Sequence, residues 1–125
     1  MILLKAKEHN WGLISPGSWD KRSWKVYHDG WYQYKVSFRS MGEEELPEIP
    51  DVIEEGSLSA GQLQRLEELL NSVWSEEKTE EAEGVAWEFK MYRDEKLIKH
   101  RDVGYITGIE PFESVVKILR DAVEK

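Results

Sequence analysis

Basic and aromatic side chains alternate along residues 21–39, on both sides of an Asp29-Gly30 pair. If this segment is a hairpin, one of its faces carries Lys21, Ser23, Lys25, Tyr27, Trp31, Gln33, Lys35 and Arg39. Aromatic rings stack on nucleobases or sugars, and basic side chains bind phosphate, so this pattern is typical of a nucleic-acid- or carbohydrate-binding sheet. The residues predicted to form a binding face are Lys25, Tyr27, Trp31, Lys35 and Arg39. The alternative is a hairpin stabilised by Tyr27–Trp31 contacts, with lysines that discourage edge pairing.

The acidic residues are concentrated in two segments. Residues 43–56 hold seven acids and no base, and residues 76–83 hold five acids and one base, while the rest of the chain has 13 acids and 16 bases. A mobile anionic segment can attract a basic protein and speed its association. The predicted acidic partner loop consists of Glu43, Glu44, Glu45, Glu48, Asp51, Glu54 and Glu55. The alternative is a solvated loop without a partner.

Catalytic motifs are absent from the sequence. His9, His28 and His100 have no metal-ligand spacing, and the chain lacks HExxH, an EF-hand loop, a phosphate loop and GxGxxG. The triplet His100-Arg101-Asp102 matches a kinase catalytic loop by letters, but no glycine-rich loop or DFG accompanies it. We therefore predict no catalytic residue, no metal site and no cofactor, with His28 solvated in a turn and His100 on the surface. A hydrolase or transferase is the least supported hypothesis.

Composition sets limits on the class of protein. The 125 residues correspond to one domain, which we place over 1–125 with acidic connections at 41–57 and 75–84. The absence of cysteine excludes disulfides and thiolate sites. No apolar run approaches the roughly 18 residues of a membrane span, and the first residues are charged too early for a signal peptide. A cytosolic protein without a membrane contact is expected. The net charge of -8 disfavours nucleic acid unless the acidic segments lie elsewhere.

The hairpin around Asp29-Gly30 is the clearest structural signal. A three-residue loop, His28-Asp29-Gly30, pairs Val26 with Tyr32 and collects the apolar side chains on one face. A two-residue loop would scatter them over both faces. We therefore predict a type I turn followed by a bulge in which Gly30 is left-handed.

The remaining elements follow from periodicity. Residues 59–74 predict a helix with a Ser59–Gln62 capping box and an apolar stripe that includes Val73 and Trp74. Strands are predicted at 2–7, 85–92, 97–100 and 104–108, and a second helix begins at Pro111. The expected fold class is α+β, an antiparallel sheet of about four to six strands with two helices packed on one face.

The second half of the chain resembles a group of small, uncharacterised bacterial domains. The resemblance is carried by the segment 56–59 and the leucine-rich helix that follows it, by Trp87-Glu88-Phe89-Lys90-Met91-Tyr92 and by the segment 104–112. These domains have a hairpin around Asp-Gly, a helix, a second hairpin and a final helix begun by proline. The likeness covers roughly residues 20–123 and implies the same order of elements, with no activity to carry over.

Taken together, these patterns predict a small cytosolic binding or interaction module without catalysis, acting as a monomer or homodimer. An unknown protein is the expected partner. One alternative is an acidic inhibitor or immunity-type protein that engages a basic partner. The other is a nucleic-acid- or carbohydrate-binding sheet face on residues 21–39.

Overall fold

The computed structural model of the chain describes residues 1–10, 19–38, 50–75, 85–104, 106 and 108–123. These residues form the strands β1 (Ile2–Asn10), β2 (Trp19–Tyr27), β3 (Trp31–Phe38), β4 (Val52–Ser57), β5 (Val85–Arg93) and β6 (Lys96–Val103). They also form the helices α1 (Ala60–Asn71) and α2 (Phe112–Val123). The strands make one antiparallel sheet in the order β4-β3-β2-β1-β5-β6. In the described ranges, no helix has the length and apolar character needed to span a membrane.

Both helices pack on the same face of the sheet, and the predicted fold class is confirmed. Phe89 of β5 stacks on Phe112 of α2 with ring centroids 4.7 Å apart. The Tyr32 hydroxyl of β3 donates to the Ala122 carbonyl of α2 at 3.0 Å. One contiguous core joins the inward side chains of the sheet to the apolar stripes of α1 and α2. We call the opposite side of the sheet the open face, because no described helix covers it.

The β2–β3 hairpin has the predicted register. Val26 pairs with Tyr32 and Trp24 with Tyr34, which places their side chains on the helix-covered face. Gly30 has φ +94, and its N–H donates to the Tyr27 carbonyl at 2.9 Å. The positive φ suits glycine in a bulge that follows a turn. The three-residue loop is therefore confirmed, and with it the side of the hairpin that carries the lysines.

The predicted connection 41–57 was wrong over its last part, which forms the edge strand β4. Its residues pair with β3, for example Val52 with Val36. The acidic composition of this segment suggested a loop, but its backbone forms hydrogen bonds along the edge of β3. Charged side chains are well tolerated on such an edge strand. Gly56 faces Tyr32, where a Cβ would lie 2.7 Å from the phenolic oxygen. Glycine therefore leaves room for the ring that ties β3 to α2.

Helix α1 begins as predicted but ends earlier. The Ser59 hydroxyl accepts from the Gln62 N–H at 3.1 Å, and the Gln62 side chain accepts from the Ser59 N–H at 2.9 Å, so the capping box is confirmed. The helix ends at Asn71 instead of continuing to residue 74. Val73 is 91% exposed, so its predicted place in the core was wrong. Of residues 72–74, which follow the end of the helix, only Trp74 is buried. Its indole N–H donates to the Leu70 carbonyl.

A strand predicted at 104–108 was also wrong. Gly104, Ile106 and Gly108 lie outside any strand, and the Ile109 N–H donates to the Ile106 carbonyl at 2.9 Å in a turn. The preceding strand, β6, is longer than predicted and uses the available edge of β5 up to Val103. The chain then turns onto the helix-covered face, where α2 begins at Phe112 directly after Pro111.

Candidate anion-binding face

Three lysines lie side by side across the middle of the open face. Lys5 of β1 is directly opposite Lys25 of β2 on one side and Lys90 of β5 on the other. We call these three residues the lysine row. Like charges placed directly opposite each other in a sheet are destabilising. The row therefore weakens the sheet by itself, and a bound anion would offset that cost.

A cleft of about 260 Å³ lies beside the lysine row, and we call it the lysine cleft. Its lining includes four ammonium groups together with a hydroxyl and an amide, and it consists of Lys5, Lys7, Ser23, Trp24, Lys25, Gln33 and Lys35. The strand register explains this composition, because Lys7 is opposite Ser23 and Ser23 is opposite Lys35. Ammonium, hydroxyl and amide groups are all donors suited to phosphate oxygens.

Ion pairs occur only at the borders of this cleft among the described residues. The Lys35 ammonium lies 3.1 Å from an Asp51 oxygen, and the Lys90 ammonium lies 3.8 Å from Glu88 Oε1. Within the same described ranges, no carboxylate forms an ion pair with Lys5, Lys7 or Lys25. Lys5 and Lys25 therefore keep their positive charge, whereas Lys7 lies directly opposite Glu88 of β5.

His9 lies on the open face near two lysines. His9 follows Lys7 on the same side of β1 and lies opposite Lys21 of β2. Burial lowers the pKa of His9 below 6.5 and the Lys21 and Lys7 ammoniums lower it further, while Glu88 and Asp20 raise it. Burial and the two neighbouring lysines therefore favour the neutral form of His9.

Aromatic rings border the lysine row at one end. Tyr27 and Trp31 are in contact, with ring centroids 5.0 Å apart and planes tilted by 45°. The Lys5 ammonium lies 5.5 Å from the centroid of the Tyr92 ring. A second cleft of about 380 Å³, which we call the aromatic cleft, is lined by Met1, Ile2, Tyr27, Tyr92 and Glu95. Since Lys5 lines the first cleft and contacts a ring of the second, the two clefts adjoin.

The structure brings together most of the predicted binding face. Lys25, Tyr27, Trp31 and Lys35 all belong to the open face, and Arg39 lies outside the described residues. Sequence reasoning missed the groups from other strands, which are Lys5, Lys7, Lys90 and Tyr92. The alternation of Lys5 and Lys7 was a usable signal, but nothing local indicated that β1 lies beside β2.

The described part of the acidic partner loop lies beside the lysine cleft. Asp51 pairs with Lys35, and Glu55 Oε1 accepts a hydrogen bond from the Gln33 amide at 3.3 Å. Glu54 is on the other side of β4, opposite Tyr34. The four remaining members, Glu43, Glu44, Glu45 and Glu48, lie outside the described residues. Acidic and basic regions therefore meet at the β3–β4 edge.

The histidines differ in their environments. His28 was predicted to be solvated, but it is half-buried, and its Nε2 is buried without a hydrogen-bond partner among the described residues. Its backbone N–H donates to the Met1 carbonyl at 2.9 Å, which draws the turn against the start of β1. His100 is exposed on the edge strand β6, as predicted.

A buried carboxylate lies on the helix-covered face, away from the open face. Glu8 is 4% exposed, with Arg120 at 3.4 Å and Arg22 at 3.7 Å. The Arg22 guanidinium also lies 4.2 Å from the centroid of the Trp19 ring. These contacts link β1, β2 and α2 around one charge. Removing one partner of such a buried ion pair leaves the charge of the other partner uncompensated.

Glu8 gives a pH-dependent prediction. Burial raises the pKa of Glu8 above 4.5, although Arg120 and Arg22 act in the opposite direction. The folded protein therefore binds this proton more tightly than the unfolded chain, and ionised Glu8 costs stability as the pH rises above 4.5. Glu8→Gln lacks this titration, so we expect urea denaturation to show the stability of the wild type falling relative to that of Glu8→Gln as the pH rises from that value towards neutrality. A shift in favour of the wild type would contradict the direction of this effect.

Comparison with known proteins supplies no family for this chain. No protein-family model matches it, and no match was found among curated proteins. The functional proposal is therefore built on the charges, rings and clefts of the open face.

Proposed function

We propose that this protein is a cytosolic binding module whose open face binds single-stranded nucleic acid, without chemistry of its own. The observation that carries the proposal is the lysine row, in which Lys5 is directly opposite both Lys25 and Lys90. Such an arrangement lowers the stability of the free sheet. It becomes favourable when phosphates bind between the lysines, because those contacts release counterions from the nucleic acid.

The rings beside the lysine row favour a single strand over a duplex. A single strand exposes its bases, which can stack on aromatic side chains while the backbone follows a basic groove. Tyr27, Trp31 and Tyr92 supply rings next to Lys5 and Lys25. The lysine cleft would bind phosphates, and the aromatic cleft would receive a base.

The net charge of -8 does not oppose this function at short range. Twelve of the 25 acids lie in residues 43–56 and 76–83, and the rest of the chain carries an excess of bases. Charges interact over about 10 Å at 0.1 M salt, so the local surface decides the interaction more than the total charge does. At that range the lysine row and Lys7 dominate the lysine cleft.

The inhibitor hypothesis receives less support from the described residues. Asp51 and Glu55 already contact Lys35 and Gln33 of the same chain. A carboxylate in these contacts has lost part of its attraction for a basic partner. The same contacts would compete with an anionic ligand at the β3–β4 side of the lysine cleft.

Replacing the two touching rings tests the proposal. We expect Tyr27→Ala and Trp31→Ala each to weaken binding of a fluorescent single-stranded oligonucleotide by about tenfold, since a base–aromatic stack contributes about 1–3 kcal/mol. Fluorescence anisotropy at low salt measures the loss for dT12 and U12.

The matched controls are Tyr27→Phe and Trp31→Phe, which keep a ring and should retain most of the affinity. Thermal unfolding checks that each variant is folded. Equal affinity of the Ala variants and the wild type would contradict the proposal. Tight binding of neutral oligosaccharides, with none of the oligonucleotides, would instead support a carbohydrate site.

A further inference from the structure

Two strands at the far edge of the open face bring an imidazole and two carboxylates together. Glu88 of β5 is directly opposite Asp102 of β6. His100 precedes Asp102 by two positions on the same strand, so both side chains are on the same side of the sheet. The three residues offer one ligand atom each, and these atoms all lie within 4.8 Å of one another.

The spacing of these atoms suits a tetrahedral metal ion. His100 Nε2 lies 3.2 Å from Glu88 Oε2 and 3.7 Å from Asp102 Oδ1. Ligands about 2.1 Å from a tetrahedral Zn²⁺ are about 3.4 Å apart, which falls between those two distances. The ligand atoms of the third pair, Glu88 and Asp102, lie within 4.8 Å of each other.

The electrostatics of the pair also favour a cation. Two carboxylates directly opposite each other in a sheet repel, and that repulsion is relieved when a positive charge lies between them. The Lys90 ammonium lies 3.8 Å from the other oxygen of Glu88, Oε1, and Lys7 lies directly opposite Glu88 on β1. Glu88 Oε2, His100 Nε2 and Asp102 Oδ1 face one another, and a single ion could bind to all three. Imidazole and carboxylate together form a ligand set that Zn²⁺ accepts.

We propose that Glu88, His100 and Asp102 form a Zn²⁺ site with three protein ligands and one open position. The neutral imidazole coordinates through Nε2, so any proton on this atom leaves when the ion binds. Three protein ligands with a fourth position for water is the arrangement of an accessible zinc site rather than of a closed structural one. The site does not depend on the nucleic-acid proposal, because neither Glu88 nor Asp102 lines the lysine cleft.

Metal titration of the tag-free, full-length protein tests the site. We expect calorimetry to show one Zn²⁺ bound per chain, and Co²⁺ to give the visible absorption of a tetrahedral complex. His100→Ala and Asp102→Asn should each weaken Zn²⁺ binding by at least about tenfold and abolish the tetrahedral Co²⁺ spectrum.

Two further variants serve as controls. His28→Ala removes an imidazole elsewhere, and Glu55→Gln removes a carboxylate of the same sheet face; both should bind Zn²⁺ like the wild type. Absence of Zn²⁺ binding by the wild type would overturn the proposal. So would unchanged affinity in His100→Ala, which would place the ion on other ligands.

Discussion

Lys5→Glu is expected to weaken binding of a single-stranded oligonucleotide by about 30-fold and to leave the protein at least as stable as the wild type. A unit-charge contact near 4 Å in water contributes about 1 kcal/mol, and reversing the charge adds a repulsion of about the same size. Stability is expected to hold because Lys5 lies directly opposite both Lys25 and Lys90. Glutamate there replaces two like-charge pairs by two opposite-charge pairs.

Weaker oligonucleotide binding without a loss of stability would distinguish a lost ligand contact from unfolding. Anisotropy titrations at several salt concentrations give the affinity and its salt dependence, and the log–log slope should become shallower by about 0.7 for each phosphate that the variant no longer neutralises. Lys117→Glu, on the exposed side of α2, makes the same change in net charge on the helix layer and should bind normally. Weak binding by both variants would indicate a general charge effect. Normal binding by Lys5→Glu would show that the lysine row does not contact the ligand.

Phe112→Ala is expected to destabilise the protein by about 3–5 kcal/mol, the usual cost of emptying a buried aromatic site. Phe112 is 1% exposed, stacks on Phe89 and meets Trp74 edge-on with ring centroids 5.4 Å apart. Its removal therefore opens a cavity between the sheet, the end of α1 and α2. Urea denaturation should show a lower midpoint with an unchanged m value.

Val73→Ala provides the contrast, since both residues belong to apolar stripes recognised in the sequence. Val73 is 91% exposed, and the expected change is within about 0.5 kcal/mol. If Phe112→Ala prevents folding, Phe112→Leu keeps most of the volume and should be measurably, but less severely, destabilised. A cost for Val73→Ala equal to that for the Phe112 variants would contradict the end of α1 at Asn71.

The sequence predicted those parts of the fold that depend on residues close together in the chain, such as hairpin register and helix capping. The β2–β3 register followed from requiring Val26 and Tyr32 to share a buried face, and the cap of α1 followed from Ser59 and Gln62. Edge pairing was not predictable in this way. Whether the segment containing Val52 becomes a strand depends on the free edge of β3, and that edge is known only once the sheet is assembled.

The same limit applied to the candidate site. The hairpin residues Lys25, Tyr27, Trp31 and Lys35 could be assigned to one face from their alternation. The lysine row could not, because Lys5 and Lys90 come from strands that are far from β2 in the sequence. The Glu88–His100 pair likewise required the β5–β6 register, which two adjacent residues of positive φ set at a short turn.

The central position of β1 has a consequence during synthesis of the chain. β1 can pair with β2 as soon as β2 has been synthesised, but its other neighbour is β5. Asn10, for example, pairs with Val85, which is synthesised much later. At about 5–20 residues per second, translation of the intervening residues takes roughly 4–15 s. During that time β1, which lies inside the complete sheet, is an unpaired edge strand of the nascent protein. This is the stage at which two nascent chains on neighbouring ribosomes are most able to pair with each other.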